Sequence, residues 1–68
     1  MNDKAFHHLK TSITDSLHGG RGDPYPHSIL AANNLILFVE ESGIELTDEQ
    51  AEKIAEYKEE CEELWENC

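Results

Sequence analysis

A stretch rich in glycine and proline limits what this chain can fold into. Residues 19–26 contain three glycines and two prolines, which free the backbone and prevent a helix from running through them. We therefore expect a Gly/Pro loop at 19–25, with a separate element on each side. Pro26 has its φ angle already set for a first helical turn, so a helix can begin at that residue.

The segment before the loop has the periodicity of one amphipathic helix. Its apolar residues fall at intervals of three or four: Phe6, Leu9, Ile13 and Leu17. This spacing predicts a helix over residues 3–17 with all four residues on one side. A helix with a single apolar side has to pack against another element.

The segment after the loop predicts a second helix over residues 26–41. The apolar run 35–39 would also suit a buried strand, but the two alanines at 31–32 and the two glutamates at 40–41 favour a helix. Apolar residues surround most of this helix, which predicts a central position between the other two helices. Gly43 fits the position just past the helix end, where a left-handed conformation is favoured.

A third helix is predicted over residues 48–67. Thr47 and Gln50 have the spacing of a capping box, in which each side chain caps a backbone amide of the other residue. Asp48 and Glu49 in the first turn also suit the positive end of the helix dipole. A chain of 68 residues makes one domain. The predicted fold is a single all-α domain over residues 1–68, a three-helix unit with a long acidic C-terminal helix.

Charge is distributed very unevenly along the chain. Residues 1–39 contain three acids and three bases, whereas residues 40–68 contain twelve acids and two lysines. The net charge of −10 therefore lies entirely in the last 29 residues. Such a block repels nucleic acid and anionic membranes, and it favours a basic protein partner.

One side of the predicted third helix carries an apolar stripe. Its residues alternate at intervals of three and four, as in a coiled coil: Ile54, Tyr57, Cys61, Leu64 and Cys68. Either this stripe faces the other helices of the same chain, or it is the seam of a homodimer that enlarges a small core. Cys61 and Cys68 are predicted to be free thiols, because a rise of about 10 Å separates them on one helix.

The opposite side of this helix carries a row of carboxylates, which we name the acidic ladder. It consists of Glu52, Glu56, Glu59, Glu63 and Glu66. Their spacing of about 5 Å along the axis is on the scale of a phosphate backbone, so we expect docking on a basic partner such as a nucleic-acid-binding protein. An ordinary solvated face is the alternative. A solvated helix face commonly mixes Glu with Lys. The ladder instead places glutamates four residues apart, and each such like-charge pair destabilises the helix by about 0.2–0.5 kcal/mol.

The histidines and serines predict neither an enzyme nor a metal-binding protein. His7 and His8 point about 100° apart on a helix, and His18 and His27 stand at the two ends of the Gly/Pro loop. Serines beside acids and histidines in sequence do not converge as a catalytic triad. No catalytic, cofactor-binding or metal-binding residue is assigned. The apolar run 35–39 is too short to span a membrane and no leader opens the chain, so a cytoplasmic location is expected.

Part of the chain resembles a known family. Read from Ser28, the segment 28–54 resembles helix II and the start of helix III of an acyl carrier protein; it runs from 28–30 through 40–41 to 46–54. In that family the serine of an Asp-Ser-Leu motif carries phosphopantetheine, and an acidic helix II contacts basic partner enzymes. The resemblance implies modification of Ser28. However, His27 stands in the place of the aspartate, and the acids here are concentrated on the third helix instead of the second.

Together these features predict a small, acidic, non-catalytic interaction or regulatory protein that docks the acidic ladder on a basic partner and forms a homodimer. Short acidic proteins of this kind are common among bacteriophage and mobile-element accessory proteins, so a viral regulator is the expected setting. Two alternatives stay open. One is an acyl-carrier-like domain modified on Ser28, and the other is a small structural assembly subunit.

Overall fold

The computed structural model describes residues 1–18 and 26–66. Those residues form three helices and no strand: α1 (Asp3–His18), α2 (Pro26–Glu41) and α3 (Asp48–Glu66). The prediction of an all-α three-helix unit is confirmed. The predicted Gly/Pro loop at 19–25 and the last two residues, Asn67 and Cys68, lie outside the described residues.

The start of α1 is capped by a residue that the periodicity did not single out. The side-chain oxygen of Asn2 accepts a hydrogen bond from the backbone N–H of Ala5 at 2.8 Å. This bond satisfies one of the amides that a helix leaves free at its first turn. The predicted apolar stripe faces the bundle, with Leu9 half-buried and three residues buried: Phe6, Ile13 and Leu17.

Helix α2 lies at the centre of the bundle, and the strand alternative for residues 35–39 is wrong. The helix packs against both α1 and α3, which make few contacts with each other. Its buried residues follow a 3-4-3 spacing: Ile29, Ala32, Ile36 and Val39. Gly43 has a φ angle of 78°, so the left-handed residue predicted just past α2 is confirmed.

One side of α2 remains uncovered. Leu30 is 45% exposed and Phe38 is 66% exposed, although both are large apolar residues on the central helix. The two neighbouring helices cover the side of α2 that carries Ile29 and Ile36. The sequence predicted that α2 lies between two helices. It did not indicate that the side carrying Leu30 and Phe38 would face solvent.

The capping box at the start of α3 is confirmed and has an additional partner. The Thr47 amide donates to Gln50 Oε1, and the Gln50 amide donates to Thr47 Oγ1, both at 3.1 Å. Gln50 also donates from Nε2 to the Met1 carbonyl at 2.7 Å, and the Met1 amino group donates to the Glu45 carbonyl. These bonds join the start of α1 to the loop before α3 and to the first turn of α3.

Candidate functional site

The acidic ladder lies on the outer side of α3, opposite the side that packs into the bundle. Its five residues Glu52, Glu56, Glu59, Glu63 and Glu66 are all exposed. From the first to the last of them the helix rises about 21 Å, so neighbouring carboxylates are about 5 Å apart along the axis. The structure thus brings all five predicted partner-binding residues onto one accessible surface.

The two lysines of α3 lie on the flanks of the ladder. Lys58 Nζ is 3.1 Å from Glu40 Oε1 on α2. Lys53 lies on the opposite flank, where its Nζ is 5.5 Å from the centre of the Tyr57 ring and 3.4 Å from Glu56 Oε2. Each lysine therefore lies between the ladder and a neighbouring helix, and neither stands in the middle of the row of carboxylates.

One further acidic residue of α3, Glu60, contacts α1. Glu60 Oε1 and His18 Nε2 approach to 2.5 Å, which connects the last residue of α1 to the middle of α3. Glu60 is half-buried, whereas the residues of the ladder are exposed. Glu60 thus contacts another helix of the bundle, while the five residues of the ladder are exposed to solvent.

The described residues of the apolar stripe of α3 pack into the chain's own core. Ile54 and Cys61 are buried, and Tyr57 and Leu64 are half-buried against the same cluster of apolar side chains. Cys68 lies outside the described residues. The described part of the stripe packs against its own chain, and a dimer seam formed by this stripe stays a prediction.

The one described cysteine is a buried free thiol. Cys61 is 3% exposed. Burial raises the pKa of this thiol above its ordinary value, and the negative charges of Glu60 and Glu62 raise the pKa further. The thiolate is the nucleophilic form of cysteine. Cys61 is therefore a poor nucleophile at neutral pH, and its role in the structure is to fill the core.

The histidines do not gather into a site in the part of the chain that the structure describes. The rings of His7 and His8 are 5.9 Å apart and meet edge to face, and both residues are exposed on α1. Within residues 1–18 and 26–66, no group of three or more His, Cys, Asp or Glu side chains is arranged to hold a metal ion. None of the described helices is long and apolar enough to cross a membrane.

The residue singled out by the acyl-carrier resemblance lies near the start of α2. Ser28 is the third residue of that helix and is half-buried, and the neighbouring His27 is exposed. A serine in the first turn of the second helix is the placement that the resemblance implies.

The described residues form an all-α three-helix bundle with an exposed row of carboxylates on its third helix. No family model matches this sequence, and comparisons with curated proteins and with solved structures give no significant match.

Proposed function

We propose that this chain is a small non-catalytic interaction protein that docks the acidic ladder on a basic protein partner and modulates it. The observation that supports the proposal is the exposure of five carboxylates in one row, while both lysines of the same helix lie on the flanks. A nucleic-acid-binding protein offers a partner surface of suitable chemistry, because such proteins carry rows of Lys and Arg that contact phosphates.

The geometry of the ladder fits an elongated basic groove. The carboxylates follow one side of a 19-residue helix, whose backbone hydrogen bonds hold it straight over about 28 Å. A partner that binds the row therefore meets a line of charges with little conformational freedom to lose. Such preorganisation lowers the entropic cost of binding.

The arrangement of like charges also supports a docking role. Glu52 and Glu56, and likewise Glu59 and Glu63, are four residues apart on the same side of α3, and each such pair destabilises a helix by about 0.2–0.5 kcal/mol. A basic partner relieves that repulsion on binding. Long-range attraction between the row and a basic surface also speeds association at low ionic strength.

The proposal predicts that neutralising the ladder abolishes capture of the partner. The test variant carries Glu52→Gln, Glu56→Gln, Glu59→Gln and Glu63→Gln, which retain the size of the side chains and the helix. Immobilised wild type and variant are compared by quantitative mass spectrometry of captured proteins. We expect nucleic-acid-binding proteins to be enriched on the wild type, to be displaced by added DNA, and to fall at least about tenfold on the variant.

A control variant with the same net charge as the ladder variant shows whether capture depends on the ladder itself or only on the total negative charge. It carries four neutralised acids that are exposed elsewhere: Asp3→Asn, Asp15→Asn, Glu41→Gln and Glu45→Gln. Capture by this control is expected to remain close to that of the wild type. Equal losses in both variants would show that only net charge matters, and unchanged capture by the ladder variant would end the docking proposal.

The acyl-carrier-like domain is the second candidate, favoured by the position of Ser28 in the first turn of α2. Under that candidate, co-expression with a phosphopantetheinyl transferase adds the mass of one prosthetic group to the wild type and none to a Ser28→Ala variant. The Ser16→Ala variant is the matched control, because Ser16 is a half-buried helical serine outside the resembling segments. A wild type without added mass would exclude the carrier function.

The third candidate is a small assembly subunit in which the ladder only maintains solubility. It differs from the docking proposal in one measurable respect. The ladder variant would then lose solubility at high concentration while it retains its binding partners.

A further inference from the structure

We propose that the uncovered side of α2 binds a second copy of this chain, with the two α2 helices antiparallel. This surface, here called the α2 outer face, consists of Leu30, Ala31, Asn34, Leu37 and Phe38. It is separate from the apolar stripe of α3, whose described residues pack against the core of their own chain. The inference concerns the assembly of the protein and goes beyond the docking of the acidic ladder.

The α2 outer face is apolar and accessible along much of the helix. Phe38, with 66% of its surface exposed, is the most exposed of the large hydrophobic residues that the structure describes, and Leu30 is 45% exposed. The two residues are eight positions apart, so they lie about 80° apart around α2, one on each side of Asn34, and about 12 Å apart along its axis. Adjacent exposed apolar side chains of this size are typical of a protein interface.

The charge distribution favours a second copy as the occupant. The chain carries a net charge of −10, so most encounters between two copies are repulsive. The α2 outer face is an exception, because α2 contains no acidic or basic residue between His27 and Glu40. Two copies can therefore meet at this surface while the acidic ladder of each copy stays outside the contact between the two α2 helices.

Charge also determines the direction of pairing. In a parallel pair, Glu40 and Glu41 of one copy would lie beside the same two residues of the other copy. In an antiparallel pair centred on Asn34, Glu41 of one copy lies opposite position 27 of the other. The two Glu41 residues are then about 21 Å apart along the helix axis, beyond the Debye length of about 8 Å at physiological salt. Repulsion between these glutamates of α2 thus disfavours the parallel pair.

The antiparallel register also pairs apolar residues with each other. With Asn34 on the twofold axis, Leu30 of each copy lies opposite Phe38 of the other, and Ala31 lies opposite Leu37. Each end of the face has a recess next to it, one lined by Leu30, Trp65 and Glu62 and the other by Leu37, Phe38 and Glu41. This pairing is unchanged by a twofold rotation, as a symmetric dimer requires.

The small size of the chain gives a physical reason for the association. A chain of 68 residues buries only about 60% of the surface that its unfolded form exposes. Small domains commonly gain the missing apolar burial from a second copy. Covering Phe38 and Leu30 would extend the core across α2, which is already the central helix of each copy.

Sedimentation velocity over a range of concentrations tests the association. We expect the wild type to dimerise with a Kd at or below about 100 μM. Phe38→Glu should raise that Kd at least about 30-fold, because loss of a central aromatic anchor commonly has an effect of this size. The control is Ile44→Glu, since Ile44 is also an exposed apolar residue, at 41%, but lies in the loop after α2. It should dimerise as the wild type does.

A charge exchange and a cross-link test the orientation. Leu30→Lys and Phe38→Glu should each give monomers, whereas the double variant should dimerise, because only antiparallel pairing places the opposite charges together. In a Cys68→Ser background, Asn34→Cys should form an intermolecular disulfide on oxidation, because its copies meet at the twofold axis. Leu30→Cys should not do so. Circular dichroism should show equal helix content in all variants.

Three results would overturn the proposal. The first is a folded wild type that stays monomeric up to about 1 mM, since the face then has a different occupant or none. The second is a Phe38→Glu variant that dimerises as the wild type does, which would place the interface elsewhere. The third is a double variant that stays monomeric although its helix content is unchanged, which would contradict the antiparallel register.

Discussion

Replacing Ile36 with alanine is expected to lower the free energy of unfolding by about 3 kcal/mol, within the range of 2–5 kcal/mol for buried Ile to Ala changes. Ile36 has no exposed surface and lies in the middle of α2, the helix that packs against both neighbours. The removed methyl and methylene groups leave a cavity that these neighbours cannot both close. A chain of 68 residues is stabilised by only about 3–10 kcal/mol. The loss therefore amounts to at least about a third of the total stability.

Urea unfolding followed by circular dichroism measures this loss. The matched control is Leu30→Ala on the same helix, because Leu30 is 45% exposed, and it should change the free energy of unfolding by less than about 1 kcal/mol. Both variants are measured at a protein concentration well below the Kd of dimerisation, where association contributes little. Equal effects of the two changes would contradict the placement of Ile36 in the core and the open side of α2.

Replacing Gln50 with alanine is expected to have the second largest effect, a loss of about 2 kcal/mol. The side chain of Gln50 is an acceptor for the Thr47 amide and a donor to the Met1 carbonyl. Gln50 is only 5% exposed, so its removal leaves two polar groups without their partner in a part-buried place. The change also removes the direct hydrogen bond between α3 and Met1, while the bond from the Met1 amino group to the Glu45 carbonyl remains. Thermal and urea unfolding should both show the loss.

Two further variants show how much of this loss of stability comes from the capping box and how much from the bond to Met1. Thr47→Ala removes the N-cap side chain and leaves the bond to Met1 in place, so it should cost about 1 kcal/mol. Glu52→Ala changes an exposed residue in the next turn, and its effect should stay within about 0.5 kcal/mol. If Gln50→Ala proved no more damaging than Thr47→Ala, the bond to Met1 would contribute nothing to stability.

The bond between Gln50 and Met1 illustrates where sequence-based prediction ends. The spacing of Thr47 and Gln50 predicted the capping box, because both partners of those hydrogen bonds lie within one turn of helix. The Met1 carbonyl is 49 positions away in the sequence. No local pattern encodes that pairing, since it depends on how α1 lies relative to the loop before α3.

The packing of the apolar stripe of α3 shows the same limit of sequence-based prediction. Its 3-4 spacing predicted that one side of the helix would be buried, and Ile54 and Cys61 are indeed buried. The spacing did not determine what buries them, because the same pattern suits a bundle in one chain and a seam between two chains. The packing of α3 against α2 assigns the described part of the stripe to the core of one chain.

The sequence by itself determined the three helices and the side of α3 on which the acids lie. Both follow from interactions over one to four residues: periodicity, capping, and the breaks at the Gly/Pro loop and Gly43. The tertiary structure decided which apolar residues are covered. On α2, an almost wholly apolar helix, Ile36 is buried and Phe38 faces solvent. The physical reason is that two neighbouring helices can cover only part of the circumference of a third, and the coverage depends on their positions in space.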